Sequence, residues 1–125
     1  FTSSEELRTL TGMASGNAVE NWTSTRDCGS FLSQVYAGTL VSKNASERMM
    51  QLLLGQTRRT KIPAGVPSGV KVANKTGELA AVQNDVAIVF GTHPYVLAVM
   101  SNDISSAVAP SQITELSRAV WDAAQ

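Results

Sequence analysis

Two uninterrupted apolar runs, Val86-Ala87-Ile88-Val89-Phe90 and Val96-Leu97-Ala98-Val99-Met100, lie one short connector apart, Gly91-Thr92-His93-Pro94. A strand with one wet face alternates apolar and polar residues, whereas a run apolar at every position suits a strand covered on both faces. The connector is short enough for a hairpin. The pair therefore requires a sheet with a layer on each side. The chain has 125 residues, room for one domain. Three strands and four helices cover one face of a sheet well and two only with difficulty, and an open three-stranded sheet leaves two edges to protect. The expectation is an exposed edge, an exposed apolar face, or a partner covering both, either a missing N-terminal half or a second copy. The chain opens on Phe1 with no initiator Met, in keeping with a stretch of something longer.

The remaining elements are read from period and punctuation. Ser3 and Glu6 are spaced as a capping box before Leu7 and Leu10, predicting a short first helix. Cys28, Phe31, Leu32, Val35 and Tyr36 form an amphipathic stripe, capped by Ser24 or Thr25 and closed by Gly38. Asn44 with Glu47 predicts the start of a third helix through Met49, Met50, Leu52, Leu53 and Leu54, ended by Gly55. Positions 56–69 are basic, then broken by Pro63, Gly65, Pro67 and Gly69, and read as a long loop. Val70–Ala73, Val82–Phe90 and Tyr95–Met100 read as strands. Ser111 opens a last helix with Ile113, Leu116, Val120 and Trp121 on one side. The fold class is α+β: helices, a three-stranded antiparallel meander and a C-terminal helix.

The totals exclude several functions. Ten Lys+Arg balance ten Asp+Glu, and aromatics are 6% of residues, which offers no basic stacking platform for nucleic acid. One Cys makes no internal disulfide, and no Cys/His cluster holds a metal. No apolar run approaches the roughly 18–20 residues that span a bilayer, and the first ten residues have no signal-peptide pattern. No cofactor is implied.

The most distinctive polar cluster is Lys75-Thr76-Gly77-Glu78, at the end of the first strand. A strand end can set an ammonium beside a hydroxyl, and a residue without Cβ lets a ligand approach the backbone. The backbone N–H of Glu78 then becomes a potential oxyanion donor. The set suits an anionic ligand carrying a carbonyl. A polar hairpin turn with a solvated Lys is the plainer alternative.

The stretch from Gly65 to Glu78 resembles the third-strand region of class A β-lactamases and their penicillin-recognising relatives, which carry Lys-[Thr/Ser]-Gly there. Asn21–Asp27 is similar to the capped helix start after the Ω loop, and Tyr36–Ser42 to the next interhelical turn. Asn84–Val89, Tyr95–Met100 and Ile113–Ala124 are similar to the fourth and fifth strands and the C-terminal helix. The likeness is collinear over residues 20–125. It implies that the whole of 1–125 is the C-terminal part of one β-lactamase-like domain. It further implies that Lys75 and Thr76 contact a substrate carboxylate, that Lys75 tunes the catalytic proton network, that Gly77 allows close approach, and that Glu78 lends its backbone N–H to an oxyanion hole. The Glu78 side chain inherits no role. Many class A enzymes place an Arg where Asn84 and Asp85 stand, facing the triplet; here those two suit structural hydrogen bonding.

The implied activity is hydrolysis of β-lactams through an acyl-serine, with an acyl-D-Ala-D-Ala peptidase or a non-catalytic binding scaffold as alternatives. The family's nucleophile is the Ser of Ser-x-x-Lys at a helix start, where Lys stacks beside Ser. Ser68-Gly69-Val70-Lys71 has the letters but enters a strand, so it is a decoy and this chain is expected to carry no nucleophile. Ser15-Gly16-Asn17 and Ser42-Lys43-Asn44 have the form of Ser-x-Asn but lie too near Lys75, and the second reads better as a helix cap. Neither Glu5 nor Glu6 begins the Ω-loop pattern Glu-x-x-Leu-Asn. The resemblance implies a bacterial periplasmic or extracellular setting. His93 reads as a turn residue, Cys28 as a small core residue, and Arg58-Arg59-Thr60-Lys61 as a solvated loop.

Overall fold

A computed structural model describes residues 23–125. In order these form α1 (Thr25–Ala37), α2 (Lys43–Leu54), a 3-10 turn η1 (Ile62–Gly65), β1 (Lys71–Leu79), β2 (Val82–Phe90), β3 (Tyr95–Val99) and α3 (Ala109–Ala124). The strands make one antiparallel sheet in the order β1-β2-β3. The α+β class with a meander and a closing helix is therefore observed. The capping box at Ser3 and Glu6 with its helix, and Ser15-Gly16-Asn17, lie outside the described residues.

Caps decide the helix ends. Ser24 is extended, and its hydroxyl accepts from Asp27 N at 3.1 Å, satisfying a first-turn donor. Gly38 closes α1 in the left-handed region at φ 73°. The cap of α2 is Ser42 and not Asn44: Ser42 has the extended backbone a cap needs and accepts from Ala45 N at 3.1 Å, leaving Asn44 inside the first turn. α3 begins at Ala109, two residues before Ser111, because Pro110 suits the first turn. The Ser111 hydroxyl donates back to Val108 O at 2.8 Å. Between α1 and α2, Ser42 N–H donates to Leu40 O at 2.7 Å around Val41, whose φ is 62°.

The sheet is covered on both faces from within the described chain, which corrects the expectation that so few elements do this only with difficulty. Val72, Ala87 and Val89 pack with Ile62 and Ile113, flanked by Leu97, Val99 and Trp121. On the other face Ala73 and Ile88 pack with Leu32 and Val35, flanked by Met49, Met50, Leu53 and Val96. The added cover is η1, inside what reads as a structureless loop. Ala87, Ile88 and Val89 are essentially inaccessible, and burying each large one is worth about 1.5–3 kcal/mol. That secures β2 at the centre. β1 and β3 remain edge strands among the described residues, and every β3 residue is half-buried.

Helix stripes are narrower than their periodicity. Leu32 and Val35 of α1 are buried, while Phe31 and Tyr36 are about half exposed. Leu52 and Leu116 face outward. On α3 the buried face is Ala109, Ile113 and Ser117. Ser117 donates to Ile62 O at 2.9 Å, and the Thr114 hydroxyl, with Pro110 O at 2.9 Å, lies 3.2 Å from the carbonyls of both Thr60 and Lys61, which share its one proton. These bonds hold the segment before β1 against α3, and so position the surface described next.

Candidate active site

β1 runs on through the polar cluster. Lys75, Thr76, Gly77 and Glu78 are strand residues opposite Val86, Asp85, Asn84 and Gln83, so neither a strand ending at Ala73 nor a turn at this place is observed. The sheet's side-chain alternation separates the four. Thr76 and Glu78 share the face of Val72, the α3 side, while Lys75 and Gly77 share the face of Ala73, toward α1 and α2.

Main-chain groups alternate as well. In an antiparallel ladder, successive residues turn their N–H and C=O toward the partner strand and then away from it. Arg59 Nη1 donates to Val72 O at 3.4 Å, and Lys75 Nζ donates to Thr76 O. Both carbonyls are reached by side chains, and both belong to even-numbered residues. Glu78 has the same parity, so its N–H faces the open edge of β1.

Lys75 borders a cleft of about 390 Å³ with Asp27, Cys28, Phe31, Leu53 and Val86, between α1 and the sheet. Thr76 is 8% exposed. At Gly77 a Cβ would meet only Asn84 Cβ at 3.7 Å and Asn84 Nδ2 at 4.0 Å. The fold's own packing therefore does not exclude a side chain there.

Behind the edge lies a charge cluster on the α3 side. Lys61 is 1% exposed; its Nζ donates to Glu78 Oε1 at 3.0 Å and to Asn84 O at 3.2 Å. Arg58 Nη1 also pairs with the Glu78 carboxylate. The Lys61 hydrogen bond, helped by both cations' charge, holds Glu78 below the usual carboxylate range against its partial desolvation. Reading Arg58–Lys61 as a solvated loop is thus corrected for Lys61, because Glu78 and a strand carbonyl satisfy its ammonium inside the protein. Sequence spacing carries no trace of this, since the partners are 17 and 23 residues away. The one local hint is that Lys61 directly precedes Ile62, which is fully buried.

Asn84 and Asp85 make the structural bonds expected of them. Asp85 is inaccessible; Oδ2 accepts from Ile62 N at 3.0 Å and Oδ1 from Asn74 Nδ2 at 3.1 Å. Burial pushes its carboxyl above the ordinary range despite these donors. Asn84 Oδ1 accepts from Ser101 N at 2.9 Å. Asn74 Nδ2 also reaches Arg58 O at 3.2 Å. The loop before β1 is thus tied to β1 and β2 at several points.

The other candidates stay apart from this edge or remain unremarkable. Ser68 lies in a turn and Lys71 begins β1, so the two are not stacked on a helix. His93 is exposed, and its backbone bonds the Gln125 side chain at 3.2 Å. Cys28 is half-buried at the cleft, with Sγ 3.6 Å from Thr23 Oγ1. Among the described residues no group of three His, Cys, Asp or Glu is placed to hold a metal, and no helix is long and apolar enough to cross a membrane.

A family model described as the beta-lactamase enzyme family matches residues 2–124. The chain belongs to the beta-lactamase enzyme family. Solved structures agree on the fold. A β-lactamase from Sphaerobacter thermophilus DSM 20745 superposes with a TM-score of 0.80 at 25% identity, over 85% of this chain and 42% of that one. The TLA-3 extended-spectrum β-lactamase gives 0.76 at 27% identity, over 82% and 42%. PBP-A gives 0.76 at 23% identity, over 98% and 51%. This β-lactamase-family chain therefore spans about half the length of the solved structures it matches. No curated protein matches it.

Proposed function

We propose that this chain forms one wall of the active site of a serine β-lactamase-like hydrolase that opens β-lactams through an acyl-serine. The observation that carries the reading is the edge itself: Lys75, Thr76, Gly77 and Glu78 stand consecutively on an edge strand. The Glu78 N–H is turned outward there, and a glycine occupies a position that packing does not reserve for glycine. Lys75, whose ammonium reaches back to Thr76 O although the two side chains leave opposite faces, would receive the substrate carboxylate together with Thr76, and Lys75 would also bias the proton network around the nucleophile. Gly77 would admit the acyl group close to the backbone, and the Glu78 N–H would stabilise the oxyanion as it forms. The nucleophilic serine and its lysine belong to a segment outside this stretch, which would also complete the sheet. Family membership supports the hydrolase class, and a variant of the similar protein PBP-A was solved as an acyl-enzyme complex with penicillin G. The same acyl-serine chemistry would serve an acyl-D-Ala-D-Ala peptidase. The setting would be the bacterial periplasm or the outside of the cell.

The test is labelling of the full-length protein with a fluorescent penicillin, read by intact mass, with turnover of a chromogenic cephalosporin reporting deacylation. A covalent adduct that Lys75→Ala slows by roughly tenfold or more is the expected result. Absence of both adduct and turnover leaves a non-catalytic scaffold of the same fold. Unchanged acylation in Lys75→Ala removes the role of Lys75.

A further inference from the structure

The Glu78 side chain has no role in the reading above, yet both oxygens of its carboxylate are engaged. Its carboxylate takes Lys61 on one oxygen and Arg58 on the other. Neither cation is a free surface charge acting alone. Lys61 is buried and also holds Asn84 O, opposite Gly77, so one ammonium bridges β1 and β2 at the level of the Gly77–Glu78 peptide. Arg58 is anchored through its own backbone: its N–H donates to Gln56 Oε1 at 3.0 Å, and its carbonyl accepts from Asn74. Arg58 is 65% exposed at the side chain, so its share is screened. The Lys61 contact is the stronger, since a buried ammonium stripped of its carboxylate is costly.

The consequence for Glu78 follows from its covalent geometry. The side chain and the outward N–H share one Cα. Tethering the carboxylate on the α3 side restrains rotation of that residue, and with it the direction of the N–H at the open edge. An edge strand otherwise has main-chain partners on one side only.

We propose that the Glu78 carboxylate, clamped by Lys61 and Arg58, is a positioning group that aims the Glu78 main-chain N–H at the oxyanion; the proposal rests on the acyl-transfer reading above. Pre-aimed donors stabilise developing charge without reorganising, and one such donor is worth about 10²–10³ in rate. Oxyanion stabilisation acts on the chemical step and not on initial binding, so the clamp governs the acylation rate constant and leaves substrate affinity nearly alone.

The experiment uses the full-length protein with Glu78→Gln and Arg58→Met, the second keeping Lys61 paired in case the first folds poorly. Acylation by penicillin G and by its thiono analogue is followed in each. A thiocarbonyl sulfur is a longer, weaker acceptor, so the oxo/thiono rate ratio reads the donor's aim. Glu78→Gln should lower the acylation rate constant about 10- to 100-fold, with the dissociation constant within about threefold, and should pull the oxo/thiono ratio toward one. Arg58→Met should move the rate constant and the ratio in the same direction by less, again with little change in the dissociation constant. A rate loss with an unchanged ratio, a loss confined to affinity, or a fall in thermal midpoint with unchanged rates overturns the proposal and leaves the clamp merely structural. Should the unmodified protein take no acyl group, the acyl-transfer reading fails first. Backbone 15N relaxation at Glu78 then decides the clamp separately, an unchanged order parameter in Glu78→Gln overturning it.

Discussion

Asn74 Nδ2 donates to Asp85 Oδ1 at 3.1 Å along a diagonal of the β1–β2 pair, between two side chains that are both inaccessible. Asp85 also accepts from Ile62 N, so one carboxylate ties β1 to the 3-10 turn. Asp85→Ala strands two buried donors at once and should cost about 2–4 kcal/mol. Asp85→Asn retains one acceptor oxygen and should cost less. Urea midpoints of the two variants check the order.

Glu78 and Asp85 pull stability in opposite directions with pH. The folded pKa of Glu78 is depressed by Lys61 and Arg58, so its contribution is present above about pH 4.5 and is lost as pH falls through the lowered value. Asp85 is raised by burial, so the fold is favoured while it holds its proton and loses that advantage as pH rises from 3.8 through the raised value. The gap in urea midpoint between the unmodified chain and Glu78→Gln should therefore narrow on acidification from pH 7 to 3. A gap independent of pH would show that the charge on Glu78 contributes nothing.

Two glycines should behave oppositely. A Cβ at Gly65 would sit 2.5 Å from both Ser117 Cβ and Thr114 O, where backbone has little room to yield. Gly65→Ala should destabilise by about 1–3 kcal/mol. Gly77→Ala meets only ordinary contacts and should stay within about 0.5 kcal/mol of the parent, while slowing penicillin acylation of the full-length protein. Thermal melts paired with labelling rates separate the two effects.

Much of the fold is written locally. The strand pair around Gly91–Pro94, the Ser24 and Gly38 caps and the bounds of β2 follow from period and punctuation, because each depends on residues within a few positions. What stays illegible is decided by partners far along the chain. Leu116 has the period of a core residue yet faces out, while Ser117 is buried because Ile62 O lies 55 residues upstream to receive it. Lys61 reads as solvent-facing for the same reason, its carboxylate lying in another element. The Lys75–Glu78 run is visible as a polar cluster, but its outward N–H depends on ladder parity, which only the register reveals. Ser42-Lys43-Asn44 is legible as a helix cap, and the structure settles which of its residues caps: Ser42, immediately ahead of the helix.

Val41 is a β-branched residue at φ 62° and 90% exposed, in a three-residue turn of the strained hand. Its side chain is too exposed to recover that strain by packing. Val41→Asn should stabilise by about 0.5–1 kcal/mol, raising the thermal midpoint without touching the Lys75 edge. A lower midpoint would mean the isopropyl group contributes contacts that outweigh the backbone strain.

The bonds that hold the Lys75–Glu78 edge span short stretches of chain: 16 residues from Arg58 to Asn74, 17 from Lys61 to Glu78, and 23 from both Lys61 to Asn84 and Ile62 to Asp85. Closing loops of this size is entropically cheap, and each doubling adds only about 0.6 kcal/mol. The bonds from Thr114 and Ser117 that seat the segment before β1 on α3 span 53–55 residues instead, so the short-range bonds can close before α3 docks and the edge is aligned only when it does. The last helix of the chain therefore finishes a surface whose strands have already paired.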